Sequence, residues 1–181
     1  MNLPIQKILI PRPEIAKRIL TLSEEINQSY RGEKLILIAI LKGSVMFVSD
    51  LMKELDVDVE IGFLYLSSYQ GATSPQSDVK KYLLPLPDIR DRHVLLIDDI
   101  LDTGASLDYA RSLCLSQEPR SLKTCVFLVK QGVHREKTIS VDFRGFDIPN
   151  EFAVGYGLDY QERYRQLPFI AVPSFTESTH S

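Results

Sequence analysis

Three carboxylates stand within five residues, at Asp98, Asp99 and Asp102, and the small residues Thr103-Gly104-Ala105-Ser106 follow at once. Carboxylates packed this closely can serve sugar hydroxyls or a magnesium ion. A tight loop of small residues that opens a helix presents backbone N–H groups and the positive end of the helix dipole to a phosphate. Two further points along the chain carry charge or glycine directly after an apolar run: Lys42-Gly43 and Lys130. A lysine there is often only a solvated boundary whose stem lies along apolar surface. Three such exits in one chain shift the weight towards a ligand, because open α/β sheets bind their ligands outside the carboxyl ends of the strands.

The elements that must position these groups are readable from the apolar pattern. Val94-Leu95-Leu96-Ile97 reads as a strand buried on both faces, ending at the acidic pair. Leu107, Ala110, Leu113 and Cys114 then recur at helical spacing, and Asp102 also suits the N-cap of that helix. Upstream, Pro13 fits the first turn of a helix that carries Ile15, Ile19, Leu22 and Ile26. Lys34–Leu41 is a second buried strand, followed by a helix with Val45, Val48, Leu51, Met52 and Leu55. Val57, Val59, Ile61, Phe63 and Tyr65 alternate as a strand, Ser68–Ser77 is the most loop-like stretch, and Val79–Leu84 can return as a strand. Thr124–Val129 is a further buried strand that ends in Lys130, and after Gly132 the helical period fades. Strands alternating with helices imply an α/β domain with a central, mostly parallel, twisted sheet and helices on both faces.

Composition narrows the function classes. The chain has 181 residues, with 21 basic and 24 acidic side chains and a formal net charge of −3. That is enough for one domain with a sizeable core. It gives no basic excess that points to nucleic acid or to an anionic membrane. The longest apolar run, Leu35–Leu41, is too short to span a bilayer, and Met1–Lys7 has no signal-peptide core. Cys114 and Cys125 fall in a helix and a strand without metal-ligand spacing, so they read as core thiols in a reducing, cytoplasmic setting. There is no repeat, linker or low-complexity run, and only Ser174–Ser181 reads as a frayed tail.

The stretch Val94–Leu107 resembles the phosphoribosyl pyrophosphate (PRPP) motif of type I phosphoribosyltransferases: hydrophobic strand, acidic pair, then Asp-Thr-Gly and a hydroxyl residue. From about Ile8 to Ile170 the chain is similar to the bacterial hypoxanthine-guanine members of that family. The matching signatures are Ile40-Leu41-Lys42-Gly43, Ser67-Ser68-Tyr69, Leu128-Val129-Lys130 and Phe152–Tyr160 running on to Arg165. The last of these separates 6-oxopurine enzymes from other phosphoribosyltransferases. The resemblance implies transfer of 5-phosphoribosyl from PRPP to N9 of hypoxanthine or guanine, giving IMP or GMP plus pyrophosphate, with Mg²⁺ as cofactor and a homodimer or homotetramer as the assembly. It also implies roles for the matching residues. Asp102–Ser106 would cradle the 5′-phosphate, and Asp98 and Asp99 would face the ribose hydroxyls and reach magnesium. Lys42, Gly43 and Arg165 would contact pyrophosphate, and Asp159 would ligate magnesium. Phe152 would stack on the base, Ala153 would meet it through its backbone, and Lys130 would donate to the purine 6-oxygen. Asp102 would handle the proton at purine N7. Ser68 and Tyr69 would begin a lid over 68–78. A small hood over the base site would come from about 1–12 and 132–175 of a single domain spanning 1–181. The family often has a cis peptide at the Lys42-Gly43 step, a point the sequence alone does not decide.

Departures from the family pattern are visible too. Asp98 stands where a glutamate is more usual, one methylene shorter. Thr73–Ser77 includes Pro75 and no glycine, which stiffens the expected lid. Tyr82–Arg92 fits the pattern poorly. Two rival readings are weaker. A non-catalytic PRPP-sensing or nucleotide-binding regulator of the same fold would need a DNA-binding appendage and would tend to lose Lys130, Asp159 and Ser68-Tyr69. A phosphoaspartate receiver domain would carry its acidic pair near the N-terminus, whereas here the pair lies past mid-chain.

Overall fold

The structure, a computed structural model, describes residues 4–67, 80–83, 86–135 and 139–174. The expected lid, Ser68 and Tyr69 included, and the tail after Ser174 lie outside these residues. The elements are β1 (Ile5–Ile10), α1 (Arg12–Ser29), β2 (Lys34–Leu41), α2 (Val45–Lys53), β3 (Asp58–Ser67), β4 (Lys80–Leu83), β5 (His93–Leu101), α3 (Ala105–Leu115), β6 (Ser121–Lys130), β7 (Phe143–Ile148) and β8 (Ile170–Pro173).

Six strands form the main sheet in the order β4-β3-β2-β5-β6-β7. All neighbours pair in parallel except β3 with β4, which is an antiparallel edge. The parallel strands are buried on both faces, which is why β2 reads Leu-Ile-Leu-Ile-Ala-Ile without a polar residue. Its alternate side chains sort to opposite sides. Leu35, Leu37 and Ala39 join a core that holds Ile15, Ile19, Leu22 and Ile26 of α1 and Phe47 and Leu51 of α2. Ile36, Ile38 and Ile40 join a second core under α3, with Leu107, Ala110 and Cys114. Both cysteines are buried free thiols.

The chain runs outward from β2 to β3 on one side and from β5 through β6 to β7 on the other, so the strand order reverses between β2 and β5. Pairing of these two strands stops at Ala39 with Ile97. Beyond that point they part and open a crevice at their carboxyl ends, the place where doubly wound sheets hold ligands.

Two sequence expectations need correction. The acidic pair does not sit in a turn after the strand: β5 runs on through Asp98 and Asp99 to Leu101, with Asp98 opposite Val126 and Ile100 opposite Leu128 of β6. Polar side chains hid the continuation, which is held by the backbone ladder to β6. Residues 143–148, expected in the hood, form the edge strand β7 of the main sheet. The smaller second sheet pairs β1 with β8, antiparallel. Tyr156 fixes this region to the main body. Its ring lies 5.0 Å from that of Phe127, and its hydroxyl donates to Asp50 of α2 at 2.7 Å.

Candidate active site

A cavity of about 410 Å³ fills the crevice between β2 and β5. Its walls include Lys42 and Gly43 from β2's exit, Asp98 and Asp99 from β5, and Asp102 to Ser106 from the loop into α3. Asp159 and Arg165 come in from the C-terminal segment. Three stretches far apart in sequence thus meet where the topology reverses.

The loop into α3 is built to receive an anion. Gly104 is the N-cap, with φ +87, and no side chain caps the helix. The first intrahelical bond runs from Asp108 N–H to the Gly104 carbonyl at 2.9 Å. The N–H groups of Ala105, Ser106 and Leu107 therefore have no acceptor within the helix. The expectation that Asp102 could cap α3 is not met. Its carboxylate turns the other way and accepts from Lys130 Nζ at 2.8 Å. That pair joins the ends of β5 and β6, with Lys130 12% exposed and Asp102 46% exposed.

Asp98 and Asp99 are differently placed. Asp98 is 4% exposed, and each carboxylate accepts the backbone N–H that follows it, at 3.0 Å. Burial pushes the Asp98 carboxyl well above the usual carboxylate range, and the Asp99 charge beside it pushes the same way. Burial raises Asp99 as well. Two adjacent carboxylates removed from water gain from a partner that brings hydroxyl donors or a cation.

The exit of β2 lies against this pair. A Cβ on Gly43 would stand 1.6 Å from Asp99 Oδ2, so only glycine lets the two segments approach this closely. Gly157 closes in from behind, where a Cβ would meet the Gly43 carbonyl oxygen at 1.9 Å. A cis peptide is present, but between Leu41 and Lys42, one step before the bond expected.

The C-terminal segment supplies the second cation. Arg165 donates to the Gly157 carbonyl at 2.7 Å and pairs with Asp159 at 2.8 Å. Asp159 also accepts the Glu162 N–H at 2.8 Å. Among the described residues no group of three or more His, Cys, Asp or Glu side chains converges as a metal site. The oxygen donors of Asp98, Asp99 and Asp159 still fit Mg²⁺, which takes one or two carboxylates and completes its shell with substrate phosphates and water.

The residues expected at the base lie apart from the cavity lining. Ala153 is nearly buried, whereas Phe152 is 45% exposed, with the Tyr160 ring edge-on to it at 6.0 Å. Lys130 meets the site through Asp102, whose carboxylate accepts from its Nζ.

Two charged residues escaped the sequence reading. Arg135 donates to three carbonyls, those of Leu101 at 3.1 Å, Asp102 at 2.8 Å and Lys130 at 2.6 Å. One guanidinium thereby ties together the two strand ends whose side chains pair. Nothing in its spacing marks it, since it is a lone arginine in an irregular segment. Glu162 lines the cavity and accepts from Lys42 at 2.9 Å. Its signal was the run of charge from Asp159 to Arg165, which reads equally well as a solvated turn. The Lys42 ammonium beside it holds the Glu162 carboxyl below the usual carboxylate range, and Glu162 in turn raises Lys42.

Comparison with known proteins bears on this geometry. Residues 6–161 match the model of the phosphoribosyl transferase domain family. The chain is 42% identical over 166 residues to a hypoxanthine phosphoribosyltransferase of Escherichia coli, covering 91% of this chain and 93% of that protein. It is 40% identical over 169 residues to a hypoxanthine-guanine phosphoribosyltransferase of Streptococcus pneumoniae, covering 93% of each. A crystal structure of a hypoxanthine-guanine phosphoribosyltransferase from Bacillus anthracis superposes with a TM-score of 0.86 at 34% identity, covering 96% of this chain and all of that one. With an acidic pair, a phosphate-type loop and two cations gathered at the switch point of a doubly wound sheet, the chain belongs to the phosphoribosyltransferase family.

Proposed function

We infer that the protein is a purine salvage enzyme, a pentosyltransferase that moves 5-phosphoribosyl from PRPP to N9 of hypoxanthine or guanine, releasing pyrophosphate and giving IMP or GMP. The observation that carries this reading is the convergence of three different binding chemistries on one cavity: the N–H groups at the start of α3, the Asp98-Asp99 carboxylate pair, and the Lys42-Arg165 cations. PRPP is a ligand with a matching phosphate, sugar and pyrophosphate. The 40–42% identity to named relatives supports the 6-oxopurine choice.

In this reading the loop from Asp102 to Ser106 binds the 5′-phosphate. Asp98 and Asp99 accept from the ribose hydroxyls and offset the positive charge that develops as C1′ takes on oxocarbenium character. Lys42, the Gly43 backbone and Arg165 hold pyrophosphate. Asp159, with Asp98 and Asp99, would hold Mg²⁺, whose chemistry when bound is to neutralise the departing pyrophosphate. Phe152 stacks on the purine, where stacking contributes about 1–3 kcal/mol. The Ala153 backbone meets the base edge, and Lys130 donates to the 6-oxygen. Asp102, already hydrogen-bonded to Lys130, takes the proton at N7. Ser68 and Tyr69 start a lid that excludes water. The β1-β8 pair and the segment after β7 serve as the hood of a single domain. The setting is cytoplasmic, in keeping with two buried free thiols, and the assembly is a homodimer or homotetramer. No helix among the described residues is long and apolar enough to cross a membrane.

The test is product formation. Protein, PRPP, magnesium and hypoxanthine should yield IMP and pyrophosphate in equal amounts. PRPP binding without turnover for any purine base would instead support the regulator.

A further inference from the structure

Glu162 sits among the groups assigned to pyrophosphate, yet it carries the same sign of charge as that ligand. Its Oε2 accepts from Lys42 Nζ at 2.9 Å and lies 3.4 Å from an Arg165 amino group. Those are the two cations of the proposed pyrophosphate subsite, and Glu162 lines the same cavity. We propose that the Glu162 carboxylate competes with pyrophosphate for Lys42 and Arg165, and so sets how tightly the enzyme holds PRPP and pyrophosphate.

Two observations carry this beyond a surface ion pair. The first is the backbone. Gln161 and Glu162 occupy the centre of a tight turn closed by Tyr160 and Arg163, at φ +53 and +62. Glycine or asparagine is the residue of least steric cost there. A glutamate held in that conformation needs a reason in its side chain, and the turn aims its carboxylate at the two cations. The second is the contrast with Asp159. That carboxylate is 31% exposed and is held by both Arg165 and the Glu162 N–H, so it stays. The Glu162 side chain is 65% exposed and can swing into water when a more highly charged anion arrives. The segment Asp159–Arg165 thus carries one carboxylate, Asp159, that orients Arg165 and one, Glu162, that can yield it.

The inference rests on the assignment of Lys42 and Arg165 to pyrophosphate, and the experiment separates the two. Binding of inorganic pyrophosphate is measured by calorimetry, with and without magnesium, for the native protein and for Glu162→Gln, Glu162→Gly and Lys42→Met. Glycine suits φ +62, so the second variant keeps the turn. Both Glu162 variants should bind pyrophosphate about threefold to tenfold more tightly, with the gain shrinking at high salt. KM for PRPP should fall while KM for hypoxanthine stays unchanged, a split that a merely structural role would not produce. Unchanged or weaker pyrophosphate binding by the Glu162 variants, beside a clear loss in Lys42→Met, would overturn the competition and leave the subsite standing. Pyrophosphate binding that ignores Lys42→Met would remove the subsite, and the inference with it.

Discussion

Replacing Gly43 by alanine puts a methyl carbon 1.6 Å from Asp99 Oδ2 and 2.5 Å from Asp99 Cγ. An unstrained contact needs about 3.4 Å, so one side must give way by roughly 1.8 Å. The backbone at Gly43 lies outside the left-handed region, so the collision is the whole effect of the substitution. Neither side has much freedom. Asp99 is held by the Ile100 N–H at 3.0 Å, and Gly157 backs directly onto the Gly43 carbonyl. Whichever yields, a group assigned to ribose or pyrophosphate leaves its place. A misplacement of about 1 Å near a reacting centre can cost about 10²-fold in rate. Gly43→Ala should therefore lower kcat/KM by about 10²-fold or more. Overpacking at one contact destabilises by only about 1–3 kcal/mol, a fall of roughly 2–12 °C in Tm at this chain length. Initial rates at varied PRPP, with a thermal melt beside them, measure both. The double variant Gly43→Ala, Asp99→Ala supplies the control. It removes the collision, so it should be no slower than Asp99→Ala alone, and the two effects should not add. Activity of Gly43→Ala within about threefold of native, or simple additivity in the double variant, would refute the argument from close approach.

Other expectations follow from the same site. Asp102→Asn should lower kcat by about 10²–10⁴ if Asp102 handles the N7 proton. Binding of PRPP should persist, because the N-cap of α3 is Gly104 and the Asp102 carbonyl, not its carboxylate, is what Arg135 holds. A near-normal kcat would reduce Asp102 to a partner of Lys130. Arg135→Ala removes three charge-assisted bonds to carbonyls, so Tm should drop by roughly 4–10 °C and kcat should fall with it. An unchanged melt and rate would show that the Leu101–Asp102 and Lys130 ends hold themselves. Excess chelator should abolish turnover and magnesium should restore it, since PRPP is a polyanion and Asp98, Asp99 and Asp159 offer only hard oxygen donors. Full activity in metal-free buffer would contradict this.

The sheet was legible because its strands are buried on both faces. Lys34–Leu41 is bounded by charge at each end, and the strand occupies the same residues. The helical period of Ile15, Ile19, Leu22 and Ile26 survives as four buried positions of α1. The pattern failed where polar groups continue a regular element. Asp98 and Asp99 extend β5 because β6 supplies the backbone partners, and no local property of an aspartate reveals that. Phe143, Gly145 and Phe146 suggest a short strand, and one is there, but an edge strand with only its end residues buried does not reveal that it joins the main sheet beside β6. The candidate site was legible at the strand exits, where charge follows an apolar run. Arg135 was not, since its work is done on carbonyls that every residue carries. Nor was the direction of the Asp102 side chain, which depends on Lys130, 28 residues away.

The central claim is that this enzyme transfers phosphoribosyl to a 6-oxopurine. It is tested most directly by kcat/KM for hypoxanthine against adenine in the native protein. Lys130 offers only donors. A 6-oxo group accepts from it, whereas adenine presents an amino group and leaves a charged donor short of an acceptor near Asp102. Sites built to pair one polar group reject the analogue lacking it by roughly 10⁴–10⁵, and the lower end applies to a lysine that can also reach Asp102. The account predicts hypoxanthine preferred by about 10⁴. Equal values for the two bases would contradict it.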